Sequence, residues 1–194
     1  MQESSDPLKS PQEPVPIDET TFDDTPHSQT RSSTSYVGLR FGKYHVITQL
    51  GRGAMGEVWK AWDTVADRHV VIKTVPQEVG QDADSIAEIK ANFQQVHLLQ
   101  HQHICPVYGL EYDDRCGYFL VMKFIEGKTL KDYLKAINPG SRRLPLPTII
   151  GLLKPVATAL DYSHSQLVIH RDVKPDNVMV TPEGDVQVVD FGIS

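Results

Sequence analysis

Three glycines, Gly51, Gly53 and Gly56, separate two stretches patterned as β-strands, YHVITQL before them and EVWKAWD after them. A glycine-rich turn lets backbone amides approach a phosphate closely, because no Cβ stands in the way. The same spacing occurs in dinucleotide-binding folds, but those need a helix directly after the glycines. A strand follows here, so the spacing predicts an antiparallel hairpin with the glycines at its tip. Taken alone, the loop is equally compatible with a purely structural turn.

Further strand patterns occur at HVVIKTV, CPVYGLEY and GYFLVMKF. Between the second and third strands of the chain's pattern, DTVADR reads as a hairpin turn. Ala83 to Gln100 predicts a helix with Ile86, Ile89, Phe93, Val96 and Leu99 on one face. TLKDYLKAI predicts a short helix closed by Pro139-Gly140. LPLPTIIGLLKPVATALDYSHS predicts a long helix, which Pro155 is expected to kink or locally unbond because it lacks an amide donor. NVMVT and DVQVVD then form a small hairpin. Five strands with one helix, followed by helices and a hairpin, read as an α+β protein in two lobes.

Residues 1 to about 40 differ from the rest: they are rich in Ser, Thr, Pro and acids and show almost no apolar periodicity. Such a segment cannot bury enough surface to offset its ordering entropy, so a disordered arm is expected. The net charge of −6 argues against nonspecific nucleic-acid binding, which needs a basic face. The two cysteines, Cys105 and Cys116, make no disulfide framework and point to a reducing compartment. No apolar run approaches the ~18 residues of a membrane helix, and no apolar signal-peptide core is visible at the N-terminus. These readings predict a cytoplasmic location, with any anchor lying outside this segment.

The most specific chemistry lies at His170-Arg171-Asp172-Val173-Lys174-Pro175-Asp176-Asn177. An aspartate in a loop can accept the proton of an attacking hydroxyl. An asparagine five residues on can offer its carbonyl oxygen to a metal. Asp190-Phe191-Gly192 follows, after the predicted hairpin, and its carboxylate can hold Mg2+ between phosphates. Lys73, on the strand after the glycine hairpin, is placed to reach phosphate oxygens beneath the loop, although a lone strand lysine is ordinarily a solvated residue. His97, His101, His103 and Cys105 have zinc-binding types, but a helix end and a packed turn are the preferred account of them.

All four motifs occur in the order of protein kinases, and from about Tyr44 to Ser194 the chain resembles bacterial Ser/Thr kinases of the eukaryotic-like type. The resemblance implies a protein-kinase-like α+β fold. Its N-lobe (41–122) would hold a five-stranded antiparallel sheet and helix C. A hinge (123–127) and the first part of a helical C-lobe (128–194) would follow. It implies ATP and Mg2+ as cofactors and a protein Ser/Thr hydroxyl as acceptor. Gly51, Gly53 and Gly56 would cover the triphosphate, and Lys73 would pair with its α- and β-phosphates. Asp172 would orient and deprotonate the hydroxyl, while Lys174 steadies the γ-phosphate. Asn177 and Asp190 would hold the metal. Leu50, Val58, Val71 and Met179 would sandwich the adenine. Met122 would be the gatekeeper, with backbone groups of Lys123 and Ile125 on the adenine edge.

The chain also departs from that pattern. The helix after Lys73 should carry a glutamate about nine residues before the turn histidine, His101, yet Asn92 stands there and Glu88 lies one turn earlier. Whether Glu88, Asn92 or neither pairs with Lys73 is open at this level. Val71 replaces an alanine above the adenine. The sequence stops just after Asp190-Phe191-Gly192, so a fragment of a longer kinase is expected, inactive alone and with an exposed apolar face on its long helix. The alternative is a nucleotide-binding pseudokinase or scaffold that transfers no phosphate.

Overall fold

The computed structural model describes residues 35–53, 56–140 and 143–191. The predicted N-terminal arm therefore lies almost wholly outside the described residues.

Six antiparallel strands form the larger sheet: β1 (Arg40–Phe41), β2 (Tyr44–Gly53), β3 (Gly56–Asp63), β4 (Arg68–Thr74), β5 (Val107–Asp113) and β6 (Gly117–Lys123). Their spatial order is β1-β2-β3-β4-β6-β5. The five expected strands are all present, and the two-residue β1 adds a short edge. Alternation decides which face each side chain takes. Trp59, Ala61, Val70, Ile72, Phe119 and Val121 point to one side and pack with Phe41, Tyr44 and Val46 into a core. Each of the valines, Ile72 and the phenylalanines contributes roughly 1.5–3 kcal/mol when buried. The intervening residues Val58, Val71 and Lys73 take the other face, where Val58 pairs with Lys73 and Val71 with Met122.

A short helix, α1 (Gln77–Gly80), precedes α2 (Ala83–Val96). Asp82 caps α2, its Oδ2 accepting the Ser85 amide at 2.9 Å. The helix ends one turn before the predicted Gln100. The His97 amide makes the last bond to the Phe93 carbonyl, and Leu99 N–H closes a turn on Val96 at 3.1 Å. That turn sends Leu99 inward, where it is buried together with Val96 and Ile104.

The chain continues through β7 (Lys128–Thr129), α3 (Leu130–Ile137), α4 (Leu146–Ser165), a 3-10 turn (Pro175–Asn177), β8 (Val178–Val180) and β9 (Val186–Val188). Strands β7, β8 and β9 make a second antiparallel sheet. Thr129 caps α3 by accepting the Asp132 amide at 3.1 Å. Helix α4 runs unbroken past Pro155. Its buried positions Leu152, Val156, Ala159 and Ser163 lie on both sides of the proline, so packing holds both halves and the loss is confined to the one amide that proline lacks. The opposite face carries exposed Leu146, Ile150 and Leu153. Valines of β8 and β9, with Phe191 and the buried face of α4, meet Val96 of α2 and Leu99 in a second core cluster. Among the described residues no helix is long and apolar enough to cross a membrane.

Candidate active site

A cleft of about 500 Å³ opens between the two sheets. Leu50, Gly51, Val58 and Val71 line it from the larger sheet, Met179 from the smaller, and Val189 from just past β9. Met122, Lys123, Phe124 and Ile125 form its back wall. The wall is mostly apolar, which suits an aromatic ring. The Lys123 amide is spent on the Pro106 carbonyl at 3.0 Å. Its carbonyl receives the Cys105 thiol, a weak donor, at 3.5 Å.

The glycine hairpin forms as expected, with Gly53 paired to Gly56 across its tip. Gly56 is obligatory there. Its φ is +107°, and a Cβ would stand 1.9 Å from the Thr74 carbonyl oxygen. Of the three glycines, Gly51 lines the cleft; Gly53 and Gly56 are not on its wall.

Lys73 is buried and its Nζ lies 3.1 Å from Asp190 Oδ2. Asp190 lines the cleft and has a left-handed φ of 61°. That backbone turn costs a non-glycine residue about 1 kcal/mol and carries Phe191 inward, where it packs on His170 at 4.5 Å. Neither candidate from α2 reaches Lys73. Glu88 pairs instead with Arg171 Nη1 at 3.6 Å, and the side chain of half-buried Asn92 makes no hydrogen bond with any described residue.

The loop after α4 is tied together by His170. Its Nε2 donates to the Val189 carbonyl at 2.9 Å, so its Nδ1 is the acceptor and takes the Asp172 amide at 3.3 Å. One buried ring thus fixes Asp172 relative to the strand end that bears Asp190. Asp172 Oδ2 accepts Lys174 Nζ at 2.6 Å and Asn177 Nδ2 at 3.0 Å. The Lys174 bond is the main reason the Asp172 carboxyl sits below its ordinary value, and the same bond raises Lys174. Asn177 spends its amide hydrogens on Asp172, whose carbonyl it also reaches at 2.9 Å. Its Oδ1 is therefore the atom left for another partner.

Asn177 and Asp190 both line the cleft, and both offer oxygen. A single carboxylate with an amide oxygen is an incomplete cage for a metal. It fits Mg2+, which is commonly held by one or two carboxylates with substrate phosphates and water completing the shell. The four zinc-type side chains do not converge. His97 Nδ1 bonds the Phe93 carbonyl, His101 stacks on Tyr162, His103 Nδ1 bonds the Val186 carbonyl, and Cys105 faces the cleft.

Residues 44–194 match the protein kinase domain family. The chain belongs to the protein kinase family. Serine/threonine-protein kinase PrkC of Bacillus subtilis is 31% identical over 159 residues, covering 81% of this chain and 24% of PrkC. Serine/threonine-protein kinase PknH of Mycobacterium tuberculosis is 37% identical over 161 residues, covering 82% of this chain and 25% of PknH. The crystal structure of the Mycobacterium tuberculosis PknI kinase domain superposes with a TM-score of 0.72 at 26% identity, over 83% of this chain and 64% of that one. The chain thus spans about a quarter of the length of these curated relatives. The kinase fold, with its N-lobe and the start of its C-lobe, is the one described above, and ATP use goes with the family.

Several residues of the cleft wall were not placed there from the sequence. Val189 and Cys105 line the wall because Cys105 N–H bonds the Val188 carbonyl at 2.9 Å and brings the two segments side by side. The one available signal was the position of Cys105, next after the turn HQHI. Asp132 and Asp176 stand at the cleft as well, and Asp176 is paired with Lys131 at 2.9 Å.

Proposed function

We propose that this chain carries the nucleotide-binding and catalytic-loop portion of a protein serine/threonine kinase, which moves the γ-phosphoryl of Mg-ATP to a protein hydroxyl. The observation that carries the reading is one cleft lined by both Asn177 and Asp190, with Lys73 on Asp190 and Lys174 with Asp172 at Asn177. Phosphoryl transfer asks a protein for positioning and charge neutralisation more than for covalent help.

In this reading the apolar walls hold the adenine, and the carbonyl of Lys123 with backbone groups of Ile125 takes its polar edge. The Gly51 hairpin lies over the phosphates. Lys73 pairs with the α- and β-phosphates. Asn177 Oδ1 and Asp190 hold Mg2+, which when bound neutralises phosphate charge. Asp172 stays ionised at neutral pH, since Lys174 holds its carboxyl low, and it accepts the hydrogen of the incoming hydroxyl. A base of such low pKa acts chiefly by orienting that hydroxyl. Lys174 then moves its ammonium toward the transferring group. The acceptor is the Ser or Thr hydroxyl of a protein.

The full-length protein with radiolabelled ATP and Mg2+ provides the test. Asp172→Asn is expected to lower transfer by two orders of magnitude or more, about 2.7 kcal/mol in barrier at ~1.4 kcal/mol per tenfold. Transfer at the wild-type rate would overturn the assignment. One observation favours a second reading, a nucleotide-binding pseudokinase: helix α2 brings no carboxylate to Lys73. Stabilisation by Mg-ATP with no phosphate transfer would select it.

A further inference from the structure

Lys73 has one acidic partner. Among the described residues the only carboxylate within ion-pair distance of its Nζ is Asp190, at 3.1 Å. The lysine side chain is 9% exposed, so losing that partner would leave a buried ammonium without compensation. Helix α2 does not supply one in this structure. Exposed Glu88 pairs with Arg171 at 3.6 Å, and Asn92 carries no charge. The helix does lie against this region: Phe93, next to Asn92, packs on the cluster containing Leu120, and Leu120 is the strand partner of Lys73.

Asp190 is also the carboxylate that the proposed function gives to Mg2+. We infer that Lys73 and the divalent cation compete for Asp190 in this chain, so that the cation and the nucleotide phosphates bind with strong mutual dependence, enforced by the absence of an acidic partner on α2. Mg2+ arriving alone must strip Asp190 from Lys73. Phosphates arriving alone must draw Lys73 off Asp190 and leave that carboxylate bare beside them. Only joint binding satisfies every charge: the ammonium turns to phosphate oxygen, and the carboxylate turns to the cation. Free-energy linkage makes the effect reciprocal, each ligand tightening the other by the same factor. Lys73 is in this sense a positioning residue for the metal site and a binding residue for the nucleotide.

The inference rests on the proposed function, and its central test needs no nucleotide. Mn2+, as a probe for Mg2+, is titrated by electron paramagnetic resonance into the 194-residue chain, its Asn92→Glu variant and its Lys73→Met variant. Asn92→Gln serves as the uncharged control of the same size. Freeing Asp190 by either route is expected to tighten Mn2+ about tenfold, within the usual range of coupling between sites. The double variant decides between mechanism and simple charge. If the introduced carboxylate works by holding Lys73, then adding it to Lys73→Met produces no further gain. Equal tightening with and without Lys73 would overturn the inference, as would Mn2+ affinity unchanged in Lys73→Met. A second arm measures a non-hydrolysable ATP analogue by calorimetry with Mg2+ and with EDTA. The ratio of the two affinities is expected to shrink in Asn92→Glu by the factor gained for free Mn2+, and an unchanged ratio counts against the inference. Wild-type protein that binds no nucleotide in either buffer overturns the functional reading, leaving the Mn2+ arm to judge the competition for Asp190.

Discussion

Asn177 donates its side-chain amide to both the carbonyl and the Oδ2 of Asp172, at 2.9 and 3.0 Å, so the two residues proposed for metal and for hydroxyl are one rigid unit. Asn177 is buried, and its replacement removes a donor from Asp172 while deleting the Oδ1 proposed for the metal. Asn177→Ala is therefore expected to lower Mn2+ affinity and to let the Asp172 backbone move. Carbon-detected NMR of the Asp172 carboxyl, with a Mn2+ titration on the same sample, reads both effects. A variant with an unmoved Asp172 signal and wild-type Mn2+ affinity contradicts the arrangement.

The Lys174 bond to Asp172 predicts a pH effect whose sign follows from its cause. Lys174 is the largest influence lowering the Asp172 carboxyl below 3.8. Removing it in Lys174→Ala lets that carboxyl titrate at higher pH, closer to its ordinary value. The acid limb of phosphate transfer in the full-length protein should move upward with it, since the reactive form is ionised. NMR titration of the Asp172 carboxyl in the two proteins checks the direction, and a shift toward lower pH would sink the explanation.

Much of the fold was legible because periodicity and spacing carry it. The glycine hairpin is set by alternation on both sides of Gly51 and Gly56, and the loop from His170 to Asn177 by its fixed spacing. What could not be read depended on segments distant in sequence coming together. The pairing of Lys73 with Asp190 rather than with a residue of α2 is decided by how the two sheets face each other. The burial of Cys105 in the cleft depends on its amide meeting Val188. The early end of α2 follows from Leu99 turning into the core, and the continuity of α4 through Pro155 from a buried stripe that outweighs one missing hydrogen bond. Local propensity speaks to none of these.

Both cysteines are buried and unpaired by a disulfide, which predicts inert thiols. Burial is the main cause raising Cys105 to about 12, and the same cause raises Cys116 to about 12. At pH 8 the thiolate fraction of each is then on the order of one in ten thousand, and it is the thiolate that reacts. Native protein should show no rapid maleimide labelling, with two thiols appearing on denaturation, as read by mass spectrometry. Fast labelling at Cys105 in the folded chain would mean the cleft wall opens more than the packing of Cys105 with Met122 and Ile125 implies.

Asp63, buried at the end of β3, should make stability fall on the acid side. Burial pushes its carboxyl up, but the amides of Ala66 and Val65, each 3.0 Å from Oδ1, together with Lys43 and Arg68, pull it down to a net value below 3.8. A carboxylate lowered on folding stabilises the native state fully above its unfolded value, and that contribution is lost as pH falls through the folded one. Urea unfolding of the 194-residue chain from pH 6 downward should therefore show a loss beginning near pH ~4 that is smaller in Asp63→Asn. Asp63→Ala, which removes the charged acceptor of the Val65 and Ala66 amides, should cost about 1.5–3 kcal/mol at neutral pH.

Gly56 and Gly51 sit in one hairpin, yet their substitution by alanine should act on different quantities. At Gly56 a Cβ collides with the Thr74 carbonyl, and φ is +107°, so neither the strand nor the side chain can relax without breaking the bond from Glu57 N–H to Thr74 Oγ1 at 3.1 Å. Strain and overpacking of this kind cost about 2–5 kcal/mol, a large part of a domain's stability. At Gly51 nothing lies within 4 Å of a Cβ, so Gly51→Ala should leave the urea midpoint nearly unchanged. Its methyl would instead stand at the cleft wall and is expected to weaken ATP-analogue binding. Calorimetry and urea unfolding on both variants separate the two effects; loss of stability in Gly51→Ala, or none in Gly56→Ala, would contradict the hairpin geometry.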